Sequence, residues 1–263
     1  MLADTHCHID AAEFNLDREY QLQEAKKAGV NAIVIPAVHT QNFQQVIDLG
    51  HQHLICFYAL GIHPMYVDAA SSGDIHTLQT FIERQINDTK LVAIGEIGLD
   101  YFVTQKNKEN QIYYFTEQLK LAKNYNLPVI LHVRKAIDDV LKYLRRYHLK
   151  GGIAHAFNGS MHQAEAFVKL GFKLGFGGAM TYSRALHIRA LAKNLSLESI
   201  VLETDAPDIP PEWLGSGGRN SPKELLKIAE VLADIREIST AQIIEVTGKN
   251  TIKTFPNMMS LYT

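Results

Sequence analysis

His6 and His8 stand two residues apart in Asp4-Thr5-His6-Cys7-His8. If Leu2–His6 is a strand, its period of two puts both imidazoles on one face and Cys7 on the other. Other short apolar segments end in the same way. Glu96 closes one of them, in Gly95-Glu96-Ile97-Gly98-Leu99-Asp100, and His132 closes Ile130-Leu131-His132. His155 closes Ile153-Ala154-His155, and Asp205 follows Leu202-Glu203-Thr204. A His-x-His pair alone is a weak signal. Imidazoles and carboxylates recurring at strand ends along the whole chain are a strong one, because these are the donors of catalytic metal sites. Imidazole suits zinc, iron or nickel and carboxylate tolerates magnesium or manganese, so the donor set leaves the metal open.

Each residue also has a plainer reading. A lone strand-end histidine is commonly just a hydrogen-bonded polar group, and Asp205 could be a helix N-cap. The recurrence, not any single residue, carries the metal reading. His39, His51, His53, His76, His148, His162 and His187 fall on predicted helices or loops with no common spacing, and read as surface or capping residues. Cys7 is expected in the wall, since free cysteine buries as a small hydrophobe. Cys7 and Cys56 show no spacing typical of a disulfide framework or a structural zinc site.

The elements that must carry these residues alternate along the chain. Strands are predicted at Leu2–His6, Ala32–Ala37, Leu54–Leu60, Leu91–Glu96, Val129–His132, Gly152–His155, Phe172–Phe176 and Ile200–Glu203. Helical spacing appears at Tyr20–Ala28, Gln111–Tyr125, Ala136–Tyr147, His162–Leu170, Ala185–Asn194 and Pro222–Arg236. Gly29 is placed to end the first helix, and Ser221 with Pro222 to open the last. Most strand segments are continuous apolar runs, as in a parallel sheet buried on both faces.

Eight strand–helix units in 263 residues match an α/β chain folded as a (β/α)8 TIM barrel. The rival, an open doubly wound sheet, expects a glycine-rich turn after an early strand. Gly175, Gly177 and Gly178 come late and lack that spacing. No linker or composition break divides the chain, and Pro207–Gly218 reads as a long loop beside the site. The expectation is a single barrel domain over residues 1–263, with the strand ends converging on one mouth.

Composition narrows the class. Hydrophobic residues at 46% and charged residues at 21% exclude a disordered chain. A formal charge of −2 argues against coating nucleic acid or anionic membrane by bulk charge, while leaving room for a local phosphate site. The longest apolar stretch, Leu54 to Ile62, is far below the ~20 residues that span a bilayer. Asp4 and His6 interrupt any secretory apolar region. The expectation is a cytoplasmic protein without membrane attachment or an obligate protein partner.

Here a resemblance becomes specific. Asp4-Thr5-His6-Cys7-His8, Gly61-Ile62-His63-Pro64, Gly95-Glu96-Ile97-Gly98-Leu99-Asp100, Arg219-Asn220-Ser221-Pro222 and Glu203-Thr204-Asp205-Ala206-Pro207 resemble the signature blocks of the TatD family of metal-dependent deoxyribonucleases. The likeness extends from about Asp4 to Phe255. It implies an amidohydrolase-like barrel with two divalent metal ions, one held by His6, His8, Glu96 and Asp205. Glu96 would bridge to a second ion held by His132 and His155. One departure is His132-Val133-Arg134 where the family often has His-Ser-Arg. Alternation turns Val133 away from the mouth, so the metal site is expected to survive, and only a hydroxyl-mediated contact, if the family uses one there, is affected.

Two such ions, about 3.5–4 Å apart, activate water and neutralise phosphoryl charge. Asp205 is placed to accept the water's proton. His63, before Pro64, should face the mouth as a donor to phosphate or leaving group, or else fix its loop by a hydrogen bond. Arg134 lies two residues past His132 and could bind phosphate bidentately, or pair with a loop acid. Trp213 and Tyr101 could each stack on a base or pack over the rim. The leading expectation is hydrolysis of DNA phosphodiester bonds from the ends. A hydrolase of a small-molecule amide, lactone or phosphoester is the second, weakened because many amidohydrolase relatives carry a modified lysine where this chain offers Glu96. A non-catalytic nucleic-acid-binding scaffold is the third, and should have lost ligands.

Overall fold

The apolar runs form β1 (Leu2–Asp4), β2 (Val30–Pro36), β3 (Cys56–Leu60), β4 (Leu91–Asp100), β5 (Val129–Arg134), β6 (Gly152–Ala154), β7 (Phe172–Phe176) and β8 (Ile200–Leu202). The structure, a computed structural model, describes residues 1–102 and 107–261. The strands follow chain order around one sheet, each parallel to the next. The first and last meet: the Thr5 N–H donates to Leu202 O at 3.0 Å and the Asp205 N–H to His6 O at 2.8 Å. With a helix after every strand, this is a (β/α)8 TIM barrel.

Those helices are α1 (Arg18–Lys27), α2 (Phe43–Gln52), α3 (Asp74–Gln85), α4 (Lys108–Asn124), α5 (Ile137–Tyr147), α6 (Met161–Lys169), α7 (Leu186–Asn194) and α8 (Leu225–Arg236); α9 (Thr240–Thr254) packs on β1 and β8. Asn107, Ser160 and Ser239 cap α4, α6 and α9, each accepting a backbone N–H three residues on. Such caps each stabilise a helix start by about 0.5–2 kcal/mol. Gly29 ends α1 at φ +88°, a conformation that needs no adjustment in glycine.

Strand alternation builds two cores. Ala32, Val34, Ala59, Val92, Ile130, Ile153 and Val201 cluster inside the barrel, out of phase with Ile33, Ile35 and Tyr58, which pack with the helical layer. Phe255 and Met258 join the inner cluster, and the Asn257 amide donates to Leu91 O at the start of β4. The C-terminal segment thus plugs the face where strands begin. The opposite mouth stays open, and the candidate residues lie there.

Several boundaries differ from expectation. β4 runs on to Asp100, so Glu96 lies within the strand and Asp100 shares its face. β1, β6 and β8 stop earlier than predicted, and His6, His155 and Asp205 stand just past their ends. Ser221 with Pro222 opens a short 3-10 turn before α8, and the Ser221 hydroxyl caps nothing. The Glu224 N–H goes to the Ser221 carbonyl at 3.0 Å, which removes the donor a side-chain cap would need. α2, α3 and α9 escaped prediction, although Phe43, Val46, Ile47 and Gly50 bury one face of α2 at helical spacing.

Candidate metal centre

Glu96 reaches the axis of the mouth from the middle of β4 and is almost fully buried there. Its two oxygens face different groups. Oε2 lies 3.2 Å from His6 Nε2 and 3.4 Å from His8 Nε2. Oε1 lies 2.8 Å from His155 Nε2, 2.9 Å from His132 Nδ1 and 3.3 Å from His63 Nε2. Asp205 Oδ1 stands on the first side, 3.4 Å from His6 Nε2 and 3.8 Å from His8 Nε2. The His6 and His155 rings stack in parallel, with centroids 3.9 Å apart and planes at 10°. All of the predicted ligand residues therefore meet in one place.

The packing around them is specific. Gly98 pairs with His132 across β4 and β5, and a Cβ there would lie 1.9 Å from the His132 carbonyl oxygen. Only glycine lets β4 approach this closely. Gly175 makes room in the same way for the Glu203 carboxylate, which also accepts the Ala156 N–H beside His155. Asp205 has φ +57°, a left-handed conformation that aspartate and asparagine tolerate better than most residues. It caps no helix; its carbonyl accepts the Asp208 N–H in a turn.

The electrostatics favour cations in the centre. Burial alone would raise the Glu96 pKa, but His63, His155 and His6 hold it well below the usual carboxylate range. Burial lowers the pKa of His8 and His155, yet the Glu96 and Asp205 carboxylates outweigh it and raise them to about 9 and about 10. Burial pushes Asp205 and Glu203 up, the latter to about 8. Burial lowers His63 to about 4. His8 and His155 are held in their charged forms, and a divalent cation would take the place of those protons, while burial keeps His6 well below its ordinary value. The sets His6, His8 and Glu96; His6, His155 and Asp205; and His63, Glu96 and His132 each have donor atoms close enough to hold an ion.

A backbone bond fixes the tautomer of His63. Its Nδ1 accepts the Met65 N–H at 3.0 Å, so in the neutral ring Nε2 carries the hydrogen, directed at Glu96. It is a donor to the centre. Arg134 projects into the same cavity, of about 630 Å³, with its guanidinium carbon 3.8 Å from the Phe102 ring centroid. Val133 packs against the hydrophobic core, as alternation required.

Other expectations are corrected or narrowed. His39 stands at the N-cap of the short Thr40–Asn42 turn, in keeping with a capping role, and it also lines this cavity and meets the Tyr66 ring edge-on at 4.9 Å, because the loop after β2 folds over the mouth. Tyr101 packs against the core, and Trp213, part-exposed, is tethered by its side chain. The Trp213 indole N–H donates to Glu224 at 2.8 Å and the Tyr101 hydroxyl to Asp139 at 3.0 Å. Cys7 is buried in the wall and its thiol is pushed up by burial. Asp100 joins the site as well. Its Oδ2 lies 3.1 Å from His132 Nε2, and period-two counting from Glu96 would have found it.

This barrel and its mouth define a metal-dependent hydrolase. The sequence model of a family described as TatD related DNase matches residues 3–256. The chain belongs to the TatD family. It is 42% identical to the uncharacterized metal-dependent hydrolase YjjV of Escherichia coli over 253 residues, 96% of each chain. A crystal structure of that TatD homologue superposes with a TM-score of 0.92, covering 97% of this chain and 98% of the other at 41% identity. The human protein named deoxyribonuclease TATDN3 is 33% identical over 99% of this chain and 96% of its own. Among the described residues, no helix is long and apolar enough to cross a membrane.

Proposed function

We propose that the chain is a two-metal phosphodiesterase that trims DNA from its ends. The observation that carries the reading is the division of Glu96, one oxygen toward His6 and His8 and the other toward His132 and His155. A carboxylate so placed is suited to bridge two ions, one held with His6, His8 and Asp205 and the other with His132 and His155. Zinc, magnesium and manganese all fit the donor types. When bound, the ions supply Lewis acidity to a phosphoryl oxygen and lower the pKa of an attacking water. Asp205, made more basic by burial, receives the water's proton. His63 donates its Nε2–H to a phosphoryl oxygen, and Arg134 binds the neighbouring phosphate. The deoxyribonuclease name of the human relative supports DNA as the substrate.

A second reading has its own support. A mouth of about 630 Å³ has the size of a small-molecule pocket, which fits a small phosphoester. Metal-stripped protein should be offered single-stranded DNA, duplex DNA, RNA and small phosphoesters, each with magnesium, manganese or zinc. DNA turnover restored by a metal supports the first reading. Turnover of phosphoesters alone replaces it with the second, and no turnover with any metal leaves neither standing.

A further inference from the structure

Asp100 is a nearly fully buried carboxylate that the proposed mechanism does not use. It lies on the face of β4 that carries Glu96 and Gly98, beside His132 on β5. His132 touches a carboxylate at each ring nitrogen: Nδ1 is 2.9 Å from Glu96 Oε1 and Nε2 is 3.1 Å from Asp100 Oδ2. Glu96 and Asp100 both only accept, so an ion taking the Nδ1 lone pair leaves the hydrogen on Nε2, where Asp100 holds it. Nδ1, which faces the centre, is then the nitrogen free to offer a lone pair.

The carboxylate doing this is itself held rigidly. Asp100 Oδ1 accepts the Phe102 N–H at 2.9 Å. The Asp100 N–H donates to Gln111 Oε1 at 2.8 Å, and the Asp100 carbonyl accepts the Gln111 Nε2 amide at 2.9 Å. Gln111, in the first turn of α4, is buried. Both carboxylate oxygens and both backbone polar groups of Asp100 thus have partners, and the partner of Oδ2 is the imidazole.

We infer that Asp100 is a positioning residue that locks His132 in the tautomer able to ligate the second ion through Nδ1. The inference rests on the two-ion reading above and adds to it a residue that lines the mouth and acts through His132. A carboxylate behind a ligating imidazole fixes its orientation and raises its basicity, and losing such a partner typically costs about 10–100-fold in metal affinity.

The variant Asp100→Asn tests it. Asparagine is nearly the same size and its Oδ1 can still accept the Phe102 N–H. Its amide would then present a donor to Nε2, the imidazole hydrogen would move to Nδ1, and the lone pair facing the centre would be lost. Titration with manganese, followed by electron paramagnetic resonance, should find two ions in the wild type with a spin-coupled spectrum. The variant should keep one ion at near wild-type affinity, bind the second about 10–100-fold more weakly, and give the isolated-ion spectrum at intermediate metal. Long-range proton–nitrogen correlation on the zinc-loaded wild type should place the His132 hydrogen on Nε2, a measurement that needs no variant to fold. A variant that binds both ions like the wild type, or loses both equally, overturns the inference. So does a His132 hydrogen on Nδ1. A wild type that binds fewer than two ions fails the two-ion reading first and removes the basis for this role.

Discussion

Asp4 and Thr204 hold the first and last strands of the barrel together: the Thr204 hydroxyl donates to Asp4 Oδ2 at 2.6 Å and the Thr204 N–H to Asp4 Oδ1 at 2.9 Å. Two residues beyond Asp4 stands His6, and next to Thr204 stands Asp205. One buried pair therefore sets the distance between two candidate ligands from opposite ends of the sequence. Both residues are buried, and burial raises Asp4 to about 7 despite the Thr204 bonds.

Thr204→Val removes the hydroxyl while keeping the shape, and leaves Asp4 Oδ2 buried without a partner. Such a group costs about 1–3 kcal/mol. Denaturant unfolding should find the variant less stable by that amount, with an unchanged slope. A variant as stable as the wild type would mean that the barrel seam does not depend on this bond.

Asp205→Asn keeps a residue that tolerates φ +57° but removes the charge and the proposed base. Turnover at saturating metal should fall by about 10²–10⁴-fold, the usual range for loss of a general base. Thermal unfolding should barely move, since the side chain makes no bond that closes the barrel. Near-normal turnover would remove Asp205 from the proton transfer.

The sequence made the barrel and the ligand set legible for one reason. Strand ends of a parallel barrel converge, so residues such as His6, Glu96, His132 and His155, far apart in the chain, could be placed together by counting strands alone. What it concealed depended on loops and on neighbours across strands. His39 reads as a loop histidine until the segment after β2 is seen folded over the mouth. Asp100 reads as a residue past the end of a strand, because the apolar run stops at Glu96 while the strand itself continues. The Trp213 indole N–H bond to Glu224 likewise has no signature in spacing, and the ring itself stays part-exposed. Period and spacing report which face a side chain takes, and only contacts report its partner.

Neither cysteine should react in the folded protein. Cys7 and Cys56 are both buried and free, and burial raises the Cys56 thiol to about 12. At pH 8 a thiol with so high a pKa is almost entirely protonated, and the thiolate is the reacting form. Ellman's reagent should find no thiol before unfolding and both afterwards. Fast labelling of native protein would show that the wall around Cys7 opens.

Arg134→Ala should separate substrate binding from metal binding. The guanidinium rests on the half-exposed Phe102 ring and lines the cavity without contacting a candidate ligand. Losing a hydrogen bond to a charged phosphate costs about 1.5–3 kcal/mol, or roughly 10–100-fold in affinity. KM for DNA should rise by that factor while metal content measured by elemental analysis stays the same. A loss of metal would place Arg134 in the support of the centre instead.

The manner of attack on DNA follows from charge and shape. With 26 basic and 28 acidic residues, the chain has no surplus to track a long backbone. Affinity must come from the centre and a few mouth residues such as Arg134. Each phosphate neutralised releases counterions, so the salt dependence of binding should correspond to only about 2–4 contacts. So short a footprint suits a strand end entering the mouth. A single-stranded or frayed end enters without the cost of unpairing, whereas an internal cut in duplex DNA needs a longer grip. The deciding comparison is a circular single strand against a linear one of the same sequence, with metal present. The linear strand should be shortened stepwise while the circle persists. If the circle is lost at the same rate, cleavage does not begin at ends, and the mouth must admit a looped strand from the side.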